Sequence, residues 1–314
     1  MSPTAQPSPP DPRPRRSVLV IGSTGLVGRE VVRALRERGA VPSVLVRDPS
    51  RLSSTEGVHV VVGDLRDPAS VRLAVAGVDV VLHVSPHEAD EVELTRTVVR
   101  ACEEAGTRLV FAGVHALARN ALHGWLMRRV YGVLLPRYRG KLTLARMVER
   151  SATDPVVLVP SNFMQTDEVL LGTILEGSFV QPAHRRGLNR VDVRDLGEVA
   201  ANVLLDPAFP SGGYPVVGPR SLTGQECAVT WERALGRPVR YTGDDDAALE
   251  AALARHLSGH RRGDWLASMR ALRRLEVATG VEDLATTTRL LGRPPTDHVD
   301  FVARVVAEHG ALAR

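Results

Sequence analysis

The stretch "VLVIGSTGLVGRE", residues 18–30, decides the fold. Four apolar residues lead into glycines at 22, 25 and 28, and an amphipathic stretch follows. A strand, a glycine-rich turn and a helix in this order are typical of a site for a dinucleotide pyrophosphate. A glycine-rich turn without a ligand is the alternative. We predict cofactor contacts from the loop residues Gly22, Ser23, Thr24, Gly25, Leu26, Val27 and Gly28.

Short apolar runs alternate with amphipathic stretches along the first half of the chain. The pattern predicts further strands at 43–47, 58–64, 78–85, 108–113 and 155–160, and in the second half a short strand, "YPVVG", at 214–218. It predicts helices at 26–39, 68–77 and 91–106 and around residue 141. Such alternation is typical of a parallel sheet covered by helices on both faces. The predicted fold class is therefore α/β, a Rossmann-type doubly wound parallel sheet with a smaller, mostly helical C-terminal substrate lobe.

The predicted organisation has a tail, two domains and an insertion. Residues 1–16 are rich in proline and are expected to be a disordered tail. Residues 17–163 are predicted to form the dinucleotide-binding domain, and 164–314 the substrate lobe. Within the lobe, 192–206 reads as a helix that returns to the Rossmann core. The insertion, 115–140, is a candidate lid.

Composition excludes several classes of protein. The 314 residues carry 40 basic and 36 acidic side chains, and these interleaved charges give no nucleic-acid patch. No apolar run approaches the roughly 20 residues of a membrane span. Cys102 and Cys227 form neither a disulfide framework nor a metal-ligand spacing, which suits a reducing compartment. We expect a cytoplasmic monomer or weak dimer without a metal, a nucleic-acid partner or a membrane partner.

The ends of the second and third strands favour one cofactor. Arg47 stands where an NAD site usually carries an acid for the ribose 2′-hydroxyl, and an arginine suits a 2′-phosphate instead. Arg51 lies close enough along the chain to assist, although both can also be ordinary surface arginines. Asp64 is a candidate for the adenine amino group, and Leu65 for packing on the adenine ring. We therefore predict NADPH or NADP⁺ rather than NADH.

Several motifs together resemble a known family. "VRDPSR", "GDLRDPASVRLAVAGVDVV", "VPSNFMQ", "VDVRDLGEVAA" and "LLGRPPTDHVDFV" follow the glycine loop in the order found in NmrA-like atypical short-chain dehydrogenase/reductases. This resemblance runs from about residue 17 to 302. It implies an extended Rossmann fold, NADP(H) and a substrate cleft beneath the C-terminal lobe. Further cofactor contacts are expected at Val84, Ser85, Gly113, Pro160, Asn162 and Phe163.

The resemblance also implies a catalytic pattern, which this chain matches only in part. Active members of the short-chain dehydrogenase/reductase superfamily carry a tyrosine acid four residues before a lysine that holds the nicotinamide ribose. Lys141, the only lysine in the chain, matches the lysine, but Arg137 takes the tyrosine position. Tyr138 is one residue away, about 100° around a helix, and so points elsewhere. The superfamily's serine position reads Gly113 or Val114 here, and we take His115 as the nearest group able to transfer a proton.

The insertion, 115–140, mixes large apolar residues with arginines. It suggests a lid over a large, flat, apolar substrate that carries acidic groups, with an ordinary amphipathic helix as the alternative. The predicted substrate contacts are His115, Trp125, Met127, Arg128, Phe163 and Met164.

These features favour an NADPH-dependent ketoreductase that acts on a bulky aromatic ketone. Within the family, the missing tyrosine and the insertion are most similar to ketoreductases that tailor angucyclinone-type polyketides in antibiotic biosynthesis. The proton would come from the substrate's own phenol, from water or from His115. A non-catalytic NADP(H)-sensing regulator is the second hypothesis, and an isomerase or lyase is the third.

Overall fold

The computed structural model describes residues 16–86, 88, 90–113, 138–274 and 279–309. Its strands are β1 Val18–Ile21, β2 Ser43–Val46, β3 His59–Val62, β4 Val80–Val84, β5 Arg108–Ala112, β6 Val156–Pro160, β7 Asn162–Phe163, β8 Ser178–Phe179, β9 Leu188–Val191, β10 Gly212–Val216, β11 Ser221–Leu222 and β12 Arg240–Tyr241. They divide into one large sheet and two small ones.

The large sheet has the strand order β3-β2-β1-β4-β5-β6-β10, and every neighbouring pair runs parallel. The central strands are continuous apolar runs because helices cover both of their faces. The strand order reverses between β1 and β4, and sheets of this kind bind ligands at the carboxyl ends of the strands beside such a reversal. The predicted fold class, a Rossmann-type doubly wound sheet with a mostly helical C-terminal lobe, is confirmed.

The helices are α1 Leu26–Glu37, α2 Pro68–Val75, α3 Glu91–Ala105, α4 Tyr138–Glu149, α5 Thr166–Val169, α6 Leu171–Leu175, α7 Val193–Leu205, α8 Gly224–Leu235, α9 Asp246–Ala254, α10 Gly259–Arg274, α11 Val281–Leu291 and α12 His298–Glu308. Within the described ranges, none of these helices combines the length and the apolar character that crossing a bilayer requires.

Two apolar cores flank the large sheet. One lies beneath α1 and α7 and includes Val31, Leu35, Leu196 and Val199, all fully buried. Gly197 permits the close approach of these two helices, since a Cβ there would lie 2.7 Å from the carbonyl oxygen of Glu30. The other core lies beneath α2, α3 and α4. Because α1, α2, α3 and α4 each follow a strand, their N-terminal ends gather at the carboxyl edge of the sheet.

The C-terminal half is less separate than the sequence predicts. A strand predicted at 214–218 lies at Gly212–Val216 and forms the edge of the large sheet. Helix α11 packs against this strand and against α7, so it also belongs to the layers around the sheet. The remaining lobe has its own core, with Phe179, Trp231 and Phe301 fully buried. Its small sheets, β11-β9-β7 and β12-β8, were not expected from the sequence.

Candidate cofactor and active site

The turn between β1 and α1 consists of glycines because its backbone has no room for side chains. Gly22 has a φ of +93°, and a Cβ there would lie 2.8 Å from the carbonyl oxygen of Val84. A Cβ on Gly28 would lie 2.7 Å from the carbonyl carbon of Gly22 and 2.8 Å from Cα of Ser23. The first turn of α1 therefore rests directly on the loop. Gly25, between them, is exposed to solvent and open to a ligand.

The N-terminus of α1 has the features of an anion site. Its N-cap, Gly25, has no side chain to accept a hydrogen bond, and the first turn contains no acidic residue. By contrast, Asp67 and Asp192 cap α2 and α7 with their carboxylates. The first amides of α1 are thus left for a ligand, and the helix dipole favours a negative one. Ser23 Oγ, buried beside the loop, has no hydrogen-bond partner among the described residues. These groups fit the pyrophosphate of a dinucleotide.

Other loop residues contribute in different ways. A cavity of about 110 Å³ adjoins the loop and is lined by Ser23, Thr24, Arg29, Leu52 and Ser54, among others. The cavity lies between this loop, α1 and the segment after β2, and its lining is mixed polar and apolar. Leu26 is exposed, whereas the side chain of Val27 is buried in the core beneath α1. Val27 can therefore contact a cofactor only through its backbone.

Basic residues gather where β2 ends. Arg47 follows β2 directly with half of its side chain exposed, and Arg51 is exposed in the 3₁₀ turn Pro49–Arg51. At the end of β3, Asp64 Oδ1 accepts the backbone N–H of Arg66 at 3.0 Å, which fixes the carboxylate beside the edge. Leu65 is half-buried against the core beneath α2 and α3. These four predicted contacts share the carboxyl edge with the glycine loop, and their roles remain predictions.

The remaining predicted cofactor contacts follow β4, β5 and β6. Val84, Ser85, Gly113 and Pro160 are half-buried at that same edge. Val84 also packs on the glycine loop, because its Cβ would lie 3.1 Å from a Cβ on Gly22. Since β1 lies between β2 and β4, a ligand on the loop can reach the ends of strands on both sides.

The segment after β6 leads into the lobe. Asn162 Nδ2 donates to the carbonyl of Asn189 at 3.4 Å, and Phe163 is half-buried against the core beneath α1 and α7. Met164 was expected to contact the substrate, but only 1% of its surface is exposed. It packs in the lobe core, where it has no surface for a substrate. Its apolar character in the sequence reflects that core position.

Lys141 pairs with a residue that the sequence did not single out. Its ammonium group forms a close ion pair and hydrogen bond with the carboxylate of Glu91. The two side chains are only 15% and 13% exposed. Glu91 is the first residue of α3 and Lys141 lies in the first turn of α4, so the pair sits at the carboxyl edge of the sheet. The structure thus supplies a fixed cation at this edge, held in place by an acid.

A buried histidine lies close to this pair. Nε2 of His83, on β4, is 3.0 Å from Thr95 Oγ1, and Nδ1 has no partner in the described part of the chain. Burial, reinforced by the positive charge of Lys141, lowers the pKa of His83 to about 3. The imidazole is therefore neutral at physiological pH and adds no second charge near Lys141.

Part of the predicted active site lies outside the described residues. This applies to His115, Trp125, Met127 and Arg128, and hence to the predicted acid and most of the predicted substrate contacts. Of the candidate lid, 115–140, only the backbone from 138 onward is described, as the start of α4. The roles of these residues remain predictions.

A buried ionic network in the lobe gave no signal in the sequence. Asp167, fully buried, lies 2.9 Å from Arg190 Nη2 and accepts hydrogen bonds from Trp231 Nε1 at 2.9 Å and from His298 Nε2 at 2.8 Å. Burial raises the pKa of Asp167, but the charge of Arg190 and these hydrogen bonds outweigh it and leave the pKa below its ordinary value. The network ties β9, α8 and α12 to α5, the short helix that carries Asp167.

Comparisons with known proteins find a family match and relatives along most of the chain. The profile of the NmrA-like family matches residues 14–251. The NAD(P)H azoreductase of Xenophilus azovorans is 30% identical over 94% of this chain and 99% of its own length. The (4-alkanoyl-5-oxo-2,5-dihydrofuran-3-yl)methyl phosphate reductase of Streptomyces griseus is 28% identical over 91% of this chain and 96% of its own length.

A solved structure shares the fold. Citrobacter sp. triphenylmethane reductase, complexed with NADP(H), matches with a TM-score of 0.75 at 21% identity. The match covers 92% of this chain and 99% of that one. At this identity the likeness extends to the architecture, which is the doubly wound sheet with its lobe.

Proposed function

Because the chain belongs to the NmrA-like family, we propose that it is an NADPH-dependent reductase of a carbonyl group in a bulky aromatic, polyketide-type substrate. The predicted family is confirmed. The broader expectation of an NAD(P)H-dependent oxidoreductase is confirmed by the two reductases to which the chain is similar over nearly its whole length. The ketone and its aromatic character are our proposal.

One observation carries the proposal. Lys141, fixed by its ion pair with Glu91, lies at the same sheet edge as the glycine loop, and the helix after this loop has no side-chain cap. The loop offers amides for a pyrophosphate, and Lys141, held by Glu91, offers an ammonium group for the nicotinamide ribose. NADPH, when bound, supplies a hydride. The carbonyl carbon takes that hydride and the carbonyl oxygen takes a proton, which yields an alcohol and NADP⁺. What the protein contributes is orientation and electrostatics.

The chain has no tyrosine at the position expected for the proton donor, so the proton must come from another group. Arg137 stands four residues before Lys141, at the position expected for a tyrosine acid, and an arginine does not give up a proton at neutral pH. A substrate with a phenol beside its carbonyl can donate the proton itself. His115 is the second candidate. We favour the substrate, because the Ser and Tyr positions have both changed while the lysine is retained.

The insertion supports a bulky aromatic substrate. Residues 115–140 include Trp125, Met127 and Arg128, a combination that suits a flat apolar molecule with acidic hydroxyl groups. Phe163, half-buried after β6, is the described residue that we propose to contact the substrate. The partner is therefore a small-molecule aromatic ketone.

Azo reduction is a second candidate. The observation that favours it is the 30% identity to an NAD(P)H azoreductase over nearly the full length of both chains. An azo bond and an aromatic carbonyl can each accept a hydride at a double bond conjugated with an aromatic ring, and aromatic azo compounds are also flat and bulky. The retained lysine and the reductase relatives weigh against a non-catalytic NADP(H) sensor and against an isomerase or lyase.

A substrate panel tests the proposal. NADPH consumption and product formation would be measured with aromatic ketones that carry or lack a neighbouring phenol, and with aromatic azo compounds. We expect turnover of the phenolic ketones with one alcohol formed per NADPH, and poor turnover of the phenol-free ketones. Reduction of azo compounds alone would replace our first candidate by the second. Tight NADPH binding without consumption on any compound would favour the sensor.

Variants of the native enzyme identify the proton source. His115→Ala is compared with His123→Ala, a histidine in the same insertion that serves as the matched control. If the substrate supplies the proton, both variants retain turnover of the phenolic ketone within a few fold. If His115→Ala alone abolishes turnover without weakening substrate binding, then His115 is the acid.

A further inference from the structure

Four charged side chains converge beside the proposed cofactor site. Arg66, in the segment after β3, donates a close hydrogen bond from Nη2 to the Glu88 carboxylate. The same nitrogen contacts Asp90 at 3.0 Å. On its other side, Glu88 Oε1 lies 3.8 Å from Nη2 of Arg47. Glu88 therefore sits between two arginines that come from different strand ends.

The position of Glu88 follows from the strand order. Glu88 belongs to the segment between β4 and α3, whereas Arg47 follows β2 and Arg66 follows β3. Strand β1, with the glycine loop, lies between β4 and β2 in the sheet. Neighbouring strands are about 4.8 Å apart, so β4 and β2 are separated by roughly 10 Å. The Glu88 side chain thus approaches Arg47 across the carboxyl edge of the sheet, beside the glycine loop.

This arrangement gives Arg47 two competing anions. The Arg47 guanidinium faces the Glu88 carboxylate at 3.8 Å, a distance too long for a hydrogen bond. A ribose 2′-phosphate offers Arg47 more charge and a bidentate geometry. Glu88 and the phosphate repel each other if both approach this arginine. A ribose 2′-hydroxyl, in contrast, can donate a hydrogen bond to a carboxylate, as it does in NAD sites.

We propose that Glu88 determines cofactor specificity by competing with the 2′-phosphate for Arg47, so that it weakens NADPH binding relative to NADH. The proposal rests on the proposed function, in which Arg47 binds the 2′-phosphate. Arg66 holds Glu88 in place and limits its reach toward Arg47. The discrimination between the two cofactors is therefore set by a balance between Glu88 and Arg47 rather than by Arg47 alone.

The test compares dissociation constants for NADPH and NADH in native protein and in Glu88→Gln. Glu88→Gln keeps the size of the side chain and removes its charge. Exposed ion pairs of this kind change binding by a few fold, so we expect NADPH to bind about three- to fivefold more tightly. NADH binding should stay unchanged or weaken. Asp90→Asn is the matched control, because Asp90 contacts Arg66 from the same segment, and it should change neither constant by more than about twofold.

Two further measurements separate the possible failures. In an Arg47→Ala background, Glu88→Gln should have no effect on NADPH binding; an equal gain there would overturn competition for Arg47. If Glu88→Gln leaves the ratio of the two constants unchanged while Arg47→Ala removes the NADPH preference, the inference about Glu88 fails and the assignment of Arg47 stands. If Arg47→Ala leaves the preference intact, the assignment of Arg47 fails, and with it the role of Glu88.

Discussion

Replacing Gly28 by alanine tests the phosphate loop, because the structure gives the new methyl group nowhere to go. A Cβ at Gly28 would lie 2.7 Å from the carbonyl carbon of Gly22 and 2.8 Å from Cα of Ser23. Carbon atoms pack at about 3.5–4.0 Å, so the loop and α1 must separate by about 1 Å. Such overpacking costs about 1–3 kcal/mol of folding stability. It also moves the loop amides away from the bound pyrophosphate.

The expected loss of affinity follows from the bonds that this shift breaks. Two bonds from backbone amides to a charged phosphate contribute about 1.5 kcal/mol each, so NADPH should bind roughly 100-fold more weakly to Gly28→Ala. Isothermal titration measures the affinity, and urea unfolding measures the stability. A Cβ at Gly25 would contact only the carbonyl oxygen of Gly22, at 3.3 Å. Gly25→Ala should therefore weaken NADPH binding with little loss of folding stability. Gly172→Ala, which meets nothing within 4 Å, is the control. Near-native affinity in Gly28→Ala would refute the assignment of this loop to the pyrophosphate.

Four other substitutions probe the rest of the account. Arg47→Ala should raise the dissociation constant for NADPH about tenfold and leave that for NADH unchanged, because a half-exposed arginine contributes at the lower end of 1.5–3 kcal/mol; titration with both cofactors checks this. Lys141→Arg should keep the melting temperature, since arginine can still pair with Glu91, but should lose nearly as much kcat as Lys141→Ala; melting curves and steady-state kinetics separate the two effects. Tyr138→Phe should lower kcat less than tenfold, whereas loss of a true general acid costs 10²–10⁴-fold in kinetic assays. His83, with a folded pKa near 3, takes up its proton near pH 6.5 once unfolded, so stability falls as the pH drops below 6.5; in urea unfolding, His83→Gln should remove about 2 kcal/mol of the loss between pH 6.5 and 5.

The sheet and the glycine loop were predictable because local chemistry determines them. Continuous apolar runs between amphipathic stretches specify a covered parallel sheet, and Gly22 and Gly28 mark places where a side chain cannot fit. The edge strand β10 was harder to place. "YPVVG" identifies a strand, but only the packing of the chain decides which sheet the strand joins.

The partners of the site residues were not predictable for a related reason. Glu91 is 50 positions from Lys141, and the packing of α3 on α4 brings the two together. Glu88 meets Arg47 because β4 and β2 flank β1, a relation that no local pattern encodes. For Met164 the sequence predicted a contact that the structure does not show. An apolar residue beside a predicted cleft can belong either to the cleft or to the core, and Met164 lies in the core. The sequence identified Lys141 and Arg47 as charged site residues, but only the tertiary structure shows which side chain each of them contacts.

Deuteride transfer tests the central claim most directly. The protein would be supplied with NADPH deuterated at the transferable position of the nicotinamide and with an aromatic ketone that carries a neighbouring phenol. We predict an alcohol with a single deuterium on the former carbonyl carbon, in an amount equal to the NADP⁺ formed. At a cofactor concentration near the native dissociation constant, Gly28→Ala should form far less of this product. If NADPH binds but no ketone of the panel yields a deuterated alcohol, the account is contradicted.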